Sequence, residues 1–417
     1  MRTPDTRSRR ARHAVLTACL LAMPTWAAAL SLDEALQLAE QQAPSLAAQL
    51  HGIDAARSAA IPAGELPDPK LLLGLQNVPA EGSDRGSLTR DFMTMQMVGV
   101  MQEVPNRAKR QARVEVAQAG IQRAGAEQRV ERLRVRRETA LAWISAVAVE
   151  QKLGLFPSLY AENQLLAKAV QARIAGGRGA SADSVVPKQE AALLAEQEDQ
   201  LISLRTRQRA ALRRWIGDAA AQPLSGALPD WKVDASHYQG QLQQHPELSA
   251  FAPMTEQASA RVREAQADKR PDWSWELAYQ RRGPAFGDMV SVQFSVDLPL
   301  FADSRQNPRV AARHAELNRV QAEREALERE HAAQLAEDLA EYQRLDRAVQ
   351  RSQDSLLPLA EEKLALILAG YRAASAELSE VVAARRELIE ARLRHIDLEE
   401  QRALSNARLY FAYGDAR

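Results

Sequence analysis

The chain has a single cysteine, Cys19, which excludes an intrachain disulfide, a thiolate metal cage and a dithiol redox motif. Neither sign of charge is in surplus: 54 Lys and Arg face 54 Asp and Glu. Zero net charge removes the electrostatic ground for a nucleic-acid partner, because such binding needs excess cations to displace phosphate counterions. Past the first thirty residues no window holds the roughly 18 consecutive apolar residues of a membrane-spanning helix, which excludes a helical inner-membrane protein. The sequence also lacks a Walker loop, a G-x-S-x-G elbow and an H-E-x-x-H pattern. Its seven His are scattered and its carboxylates are helix-surface charges, so neither enzyme activity nor a cofactor or metal site is expected. Aromatic residues are sparse at 5%, yet 46% of the 417 residues are apolar, an ordinary fraction for a folded chain.

The N-terminus has the layout of a secretory signal peptide over 1–29. Arg2, Arg7, Arg9, Arg10, Arg12 and His13 precede an apolar run from Ala14 to Met23, and Ala27-Ala28-Ala29 supplies small residues at the cleavage spacing. Cleavage after Ala29 would leave a cysteine-free chain. Leu16-Thr17-Ala18-Cys19 also has the form of a lipoprotein cleavage box, with a short apolar stretch before it, so both fates of Cys19 stay open.

From Leu30 on, one plan occurs twice. Ser31 and Glu34 form a capping-box pattern opening a helix to about Ile61, bent at Pro44. Breakers at 62–69 lead to two alternating runs, a strand pair over 68–104 with a turn-rich stretch at Pro79 to Ser87. A helical pattern then runs from Asn106 to about Ala175, kinked near Gly154 and Pro157, and a Gly-rich tip at 176–186 reverses it into a return helix ending near Ile216. After an irregular linker at 218–245, the second repeat spans 246–417: a helix, a strand pair at 272–299, a long helix from about Ser304 to Leu368, a tip at 370–382 and a final helix to about Tyr413. Gln41-Gln42-Ala43-Pro44-Ser45-Leu46 is echoed by Gln243-Gln244-His245-Pro246-Glu247-Leu248 at an offset of 202. The turn beginning Gly176 is echoed from Gly370 as G-x-R-x-A-S-A-acid at 194. The first repeat covers 30–217.

An alternating strand must set its apolar face against something apolar, and four strands cannot close a membrane barrel, whose smallest forms need about eight. Several copies are therefore expected to assemble if these strands face lipid. On the second long helix Leu317, Val320, Leu327, Leu335, Leu339, Tyr342 and Val349 keep coiled-coil spacings between charged faces. The first carries smaller residues, Ala112, Ala117, Ala119, Ala124 and Ala126, that let neighbours approach closely. The fold class is mainly α with a small β part: long antiparallel coiled-coil helices plus two β-hairpins.

With these features in hand the chain resembles the TolC family of outer-membrane efflux proteins. The residues that carry the resemblance are Leu30-Ser31-Leu32-Asp33-Glu34-Ala35-Leu36, Leu66-Pro67-Asp68-Pro69, Gln102-Glu103-Val104-Pro105, and Tyr371 to Val382. Gln76-Asn77-Val78-Pro79 and the Met-rich second strand look most like the heavy-metal branch, the cobalt-zinc-cadmium and copper-silver resistance systems. The resemblance implies a homotrimer in outer-membrane lipid: a twelve-stranded barrel on a twelve-helix periplasmic tunnel, with the segment 218–245 in an equatorial collar. It implies a passive duct for heavy-metal cations, joined through a periplasmic adaptor to an inner-membrane RND-type pump, with the two tips closing the tunnel and docking the adaptor. In the family the second tip runs Tyr-x-x-Gly, a hydroxyl residue, then an acid and two aliphatics. Tyr371, Ser375, Glu380, Val381 and Val382 match, while Ala374 replaces the Gly and Ala376 stands where some members carry an Arg. Asp183 is the equivalent acid of the first tip, with Gly177 in the Gly position.

Candidate gate and tip residues are accordingly Asp183, Arg178, Tyr371, Arg372, Glu377 and Glu380. The three acids lie in the first turns of the return helices, where a carboxylate gains about 0.3–1 kcal/mol from the helix dipole, and under threefold symmetry they would also make a cation-favouring ring. Arg178, Tyr371 and Arg372 read as gate or adaptor contacts, or as solvated turn residues. Met93, Met95, Met97 and Met101 offer soft ligands for copper(I) or silver(I), but the preferred reading makes them the lipid-facing side of their strand. His314 and His331 read as solvated or seam positions. The competing classes are a periplasmic adaptor, which would have one helical hairpin rather than two repeats, and a purely structural coiled-coil protein, which leaves the strands unexplained.

Overall fold

The computed structural model describes residues 29–414; the signal-peptide reading and both fates of Cys19 fall outside them. The helices are α1 (Leu32–Gln42), α2 (Pro44–Ala60), α3 (Arg107–Gly154), α4 (Phe156–Ala175), α5 (Val186–Ile216), α6 (Ala235–Gln241), α7 (Pro246–Ser249), α8 (Phe251–Ala267), α9 (Gln306–Arg351), α10 (Leu357–Arg372) and α11 (Leu378–Tyr413). The strands are β1 (Lys70–Gln76), β2 (Met95–Val104), β3 (Trp273–Arg281) and β4 (Met289–Val296). The order helix, strand pair, long helix, reversal, helix occurs twice. Among the described residues no helix is long and apolar enough to cross a membrane.

Prolines set the interruptions. Pro44 begins α2, so the first helix breaks at Ala43. Pro157 leaves Leu155 between α3 and α4. The sequence reading carries the second long helix straight through to Leu368, but Ser352–Leu356 winds as a π turn just before Pro358. Proline there supplies no N–H and its ring crowds the preceding turn, and a wider turn relieves both.

The chain packs as two units, each drawing on both repeats. One comprises residues 29–41, Thr139–Pro229 and Ser352–Glu400. Its α1 opens on the expected capping box, with Ser31 N donating to Glu34 Oε2 at 2.8 Å and Glu34 N to Ser31 Oγ at 3.3 Å. Leu30 pairs with Leu224, and the buried Trp143 indole donates to the Leu30 carbonyl at 3.2 Å. Deeper packing comes from Phe156, Leu159, Leu194 and Ile389, and from Leu166, Val170, Tyr371, Leu378 and Val381.

The other unit comprises Gln42–Glu138, Asp230–Arg351 and residues 401–414. Ala112, Ala119, Ala126 and Leu133 are buried at a strict spacing of seven, the small-residue seam expected of the first long helix. Asp272 of the Arg270-Pro271-Asp272 motif accepts the Asn106 N–H at 2.7 Å and pairs with Lys109 at 3.1 Å, fixing the start of α3 against the base of β3. Asn406 brackets the Trp231 backbone, accepting its N–H at 2.9 Å and donating to its carbonyl at 2.7 Å, while the Trp231 ring stacks on Tyr410 at 4.3 Å. All four strands join one antiparallel sheet in the order β1-β2-β3-β4, so the hairpins of the two repeats pair with each other through β2 and β3.

Candidate functional site: the helix reversals and the apolar sheet face

Both reversals are built by the same backbone device. In the first, Arg178 N donates to Arg173 O at 2.9 Å and Gly177 N to Ile174 O at 3.0 Å. In the second, Ser375 N donates to Gly370 O at 2.8 Å and Ala374 N to Tyr371 O at 3.2 Å. These are Schellman closures, which need a left-handed residue one place past the helix end. Gly177 has φ +70°, and Ala374 takes φ +61° without glycine's freedom. Each bond of one reversal recurs 197 residues later in the other, so the structure corrects the offset of 194 taken from matching letters. Helix ends, not the short Ala-Ser-Ala match, define the equivalence.

At that corrected offset Asp183 corresponds to Glu380. Asp183 Oδ2 accepts the Ala180 N–H at 3.1 Å, and Glu380 Oε2 accepts the Glu377 N–H at 2.9 Å. Each carboxylate therefore closes the first turn of its return segment, the capping geometry that the sequence position allows. Glu377 is exposed at the helix start and accepts from the Ser379 hydroxyl at 3.4 Å. Arg178 and Arg372 are exposed, whereas Tyr371 is buried.

What brings the two reversals together is Arg173, which sequence reading passed over. Its guanidinium lies 4.0 Å over the Tyr371 ring and donates to the Tyr371 carbonyl at 3.1 Å and the Arg178 carbonyl at 3.3 Å. A cation in the last turn of a helix is a signal in itself, since it complements the dipole and can bond the free carbonyls. Further along the same helices Arg385, only 6% exposed, donates to Asn163 Oδ1 at 2.8 Å and to the Leu159 carbonyl at 2.7 Å. Asn163 in turn donates to the Pro187 carbonyl at 2.8 Å. Burial opposes the charged form of Arg385 and lowers its pKa despite Glu162 and Glu190 nearby.

The sheet separates its faces cleanly. Leu71, Leu73 and Leu75 lie opposite Val100, Val98 and Gln96, and Val98 and Val100 lie opposite Tyr279 and Leu277. Leu277 and Trp275 in turn oppose Val292 and Phe294. Residues directly opposite in an antiparallel pair share a face, so this face is apolar across all four strands, and Leu73, Val290 and Phe294 on it are about 70% exposed. The other face carries Lys70, Gln76, Glu103, Ser274, Glu276, Gln280, Ser291 and Gln293. Met95, Met97 and Met101 belong to that polar face: Met97 lies between Gly74 and Gln280, and Met101 between Lys70 and Glu276. Met93 precedes the strand. The preferred lipid-facing reading of the methionines is thus overturned, because pairing partners decide which side of the sheet a strand face joins.

A second group escaped the sequence reading. Of the two readings of His331, seam and solvated, the structure gives the seam: its Nε2 lies 3.0 Å from Glu247 Oε2 and its Nδ1 3.3 Å from the Tyr413 hydroxyl, with the buried His245 ring 4.1 Å away. His314 is exposed as expected. The available signal was the repeat itself, since His245 and Glu247 stand where the first repeat has Ala43 and Ser45.

Residues 237–415 match the family model described as outer membrane efflux protein. No curated protein sequence matches the chain. Solved structures do. A membrane protein from Pseudomonas aeruginosa superposes with TM-score 0.79 at 18% identity, covering 92% of this chain and 93% of its own. The outer membrane protein VceC from Vibrio cholerae gives 0.76 at 19%, covering 92% and 96%. CusC, described for transmembrane channel formation, gives 0.75 at 15%, covering 92% of each chain. The fold is that of these solved structures. It extends over both repeats, although the family model matches the second.

Proposed function

We propose that this chain is the outer-membrane exit duct of a tripartite efflux system, a passive channel for heavy-metal cations delivered by an inner-membrane RND-type pump through a periplasmic adaptor. The observation that carries the reading is the sheet: four strands with β1 and β4 as open edges, and one face apolar and exposed from edge to edge. In lipid an open edge leaves backbone groups unpaired at several kcal/mol each, and in water such a face would aggregate. Three copies joined edge to edge make a closed twelve-stranded barrel, lipid-facing outside and polar within. Exposed leucines at the start of and along α10, Leu356 just before it and Leu359 and Leu366 on it, give neighbouring copies an apolar helix face to cover.

In that assembly the reversals form the periplasmic tip. Arg178 and Arg372 are available to an adaptor, and threefold symmetry gathers Asp183 and Glu380 into a ring that favours cations. The cargo reading rests on the resemblance and on Met95, Met97 and Met101, soft thioethers on the polar face. Membrane fractionation tests the function: a heat-modifiable trimer in the outer membrane is expected, and a stable water-soluble monomer overturns the reading. Single-channel recording of Asp183→Asn and Glu380→Gln tests the ring, which unchanged cation preference in both would remove.

A further inference from the structure

We infer that His245, Glu247 and His331 form a binding site for one divalent transition-metal ion of the zinc class. One nitrogen of each imidazole and one carboxylate oxygen lie within 4.8 Å of one another. A tetrahedral ion bound at about 2.0–2.2 Å holds its ligand atoms about 3.4 Å apart. The His331 to Glu247 pair already stands at 3.0 Å, so the site closes by a side-chain rotation of His245, whose ring packs 4.1 Å from that of His331.

The protons are placed for this chemistry. The Tyr413 hydroxyl donates to the His331 carbonyl at 3.2 Å, so its oxygen is left to accept from His331 Nδ1 at 3.3 Å. That puts one ring proton on Nδ1 and turns Nε2 toward the Glu247 carboxylate. Two lone pairs at hydrogen-bond distance need a cation between them, either a second proton or a metal. A metal-bound histidine characteristically hands its other N–H to an oxygen, and Tyr413 supplies that oxygen here. On His245 the nitrogen free of a proton is Nδ1, which accepts the Glu247 N–H at 3.2 Å, a long bond that the ion would replace. Arg137, which acts on Glu247 through its charge, is the competing cation.

Nothing in the fold requires these residues. The first repeat begins the equivalent helix with Ala43 and Ser45 in place of His245 and Glu247, and Ala43 makes no side-chain cap. Two imidazoles with one carboxylate suit Zn2+, Cu2+ or Ni2+, whereas Ca2+ and Mg2+ call for six or more oxygens. Three protein ligands leave a fourth position for water.

Calorimetric titration of the full, chelator-stripped protein with Zn2+, together with the visible spectrum of the Co2+ form, tests the assignment. One equivalent of Zn2+ per chain, a tetrahedral Co2+ spectrum and a raised melting temperature are expected. His245→Ala/Glu247→Ser, which installs the first repeat's own residues, and separately His331→Gln should both abolish the equivalent. Tyr413→Phe should keep the stoichiometry and weaken binding roughly tenfold. No bound Zn2+, or a bound equivalent unchanged in both ligand variants, overturns the inference.

Discussion

Val292 and Gln293 are neighbours in β4 that lie on opposite faces of the sheet, Val292 opposite Leu277 and Gln293 opposite Glu276. The same substitution at both, Val292→Arg and Gln293→Arg, therefore reads what each face meets. If the apolar face meets lipid, an arginine there costs about 2–4 kcal/mol near the bilayer midplane, a loss of roughly 30- to 1000-fold in the folding equilibrium. On the polar face the arginine meets water and the Glu276 carboxylate, and a change within about 0.5 kcal/mol is expected. If both faces meet water, Val292→Arg falls into that small range too, since Val292 is already 60% exposed. Urea titration of the protein refolded into lipid vesicles measures the difference, and the yield of heat-modifiable species in outer-membrane fractions checks it in cells. Equal midpoints for the two variants would refute the lipid-facing assignment, and so would Gln293→Arg proving the worse.

Inside the helical unit, Asn163→Leu takes one hydrogen bond from the buried Arg385 guanidinium, which keeps the Leu159 carbonyl, and should cost about 1.5–3 kcal/mol; Arg385→Met leaves the Asn163 and Leu159 acceptors unpaired at about 1–3 kcal/mol. Thermal melts in which either variant matches wild type would contradict that account of the junction. At the reversals, Ala374→Gly removes a left-handed strain of about 1–2 kcal/mol and adds about 0.5–1 kcal/mol of unfolded-chain entropy, for a small net gain, while Gly177→Ala should lower stability. Shifts of the same sign in both would be inconsistent with the Schellman geometry. The His331 hydrogen bond holds the Glu247 carboxyl below its ordinary 4.5, with burial opposing and the Arg137 charge adding to it. A depressed carboxylate contributes stability that is present above the unfolded value and lost as the pH falls, so in chelator the stability gap between wild type and Glu247→Gln should close as the pH falls below about 4.5. A gap that widens in acid would contradict it.

Periodicity was enough for the elements. Alternation at Trp273 to Tyr279 and Val290 to Val296 became β3 and β4, and the Ala112, Ala119 and Ala126 seam became a buried heptad stripe, because those patterns are set by local geometry. The methionines show where a local pattern stops being informative. In β2 the odd positions hold Met95, Met97 and Met101 and the even ones Gln96, Val98, Val100 and Gln102, so neither side declares itself by polarity. Only pairing with Leu71 and Leu73 on one side and with Leu277 and Tyr279 on the other assigns the valines to the apolar face. A shift of one residue in either pairing would have exchanged the faces.

The sites were less legible for a related reason: they are held by residues whose meeting is a property of packing. Arg173 joins Tyr371 across 198 positions, Arg385 joins Asn163 across 222, and His331 joins Glu247 across 84. No spacing rule reaches so far. What the sequence does hold is the comparison between its own halves, because the same backbone device is built twice and any residue that one copy does without is not needed for that device. By that test Gly177 against Ala374 exposes a tolerated strain, Asp183 against Glu380 a shared cap, and Ala43 and Ser45 against His245 and Glu247 a pair of side chains that the device does not require. The test depends on how the reversals are aligned: their hydrogen bonds set Asp183 against Glu380, as the family resemblance does, whereas at the letter-matched offset it falls against Glu377, whose side chain closes no first turn.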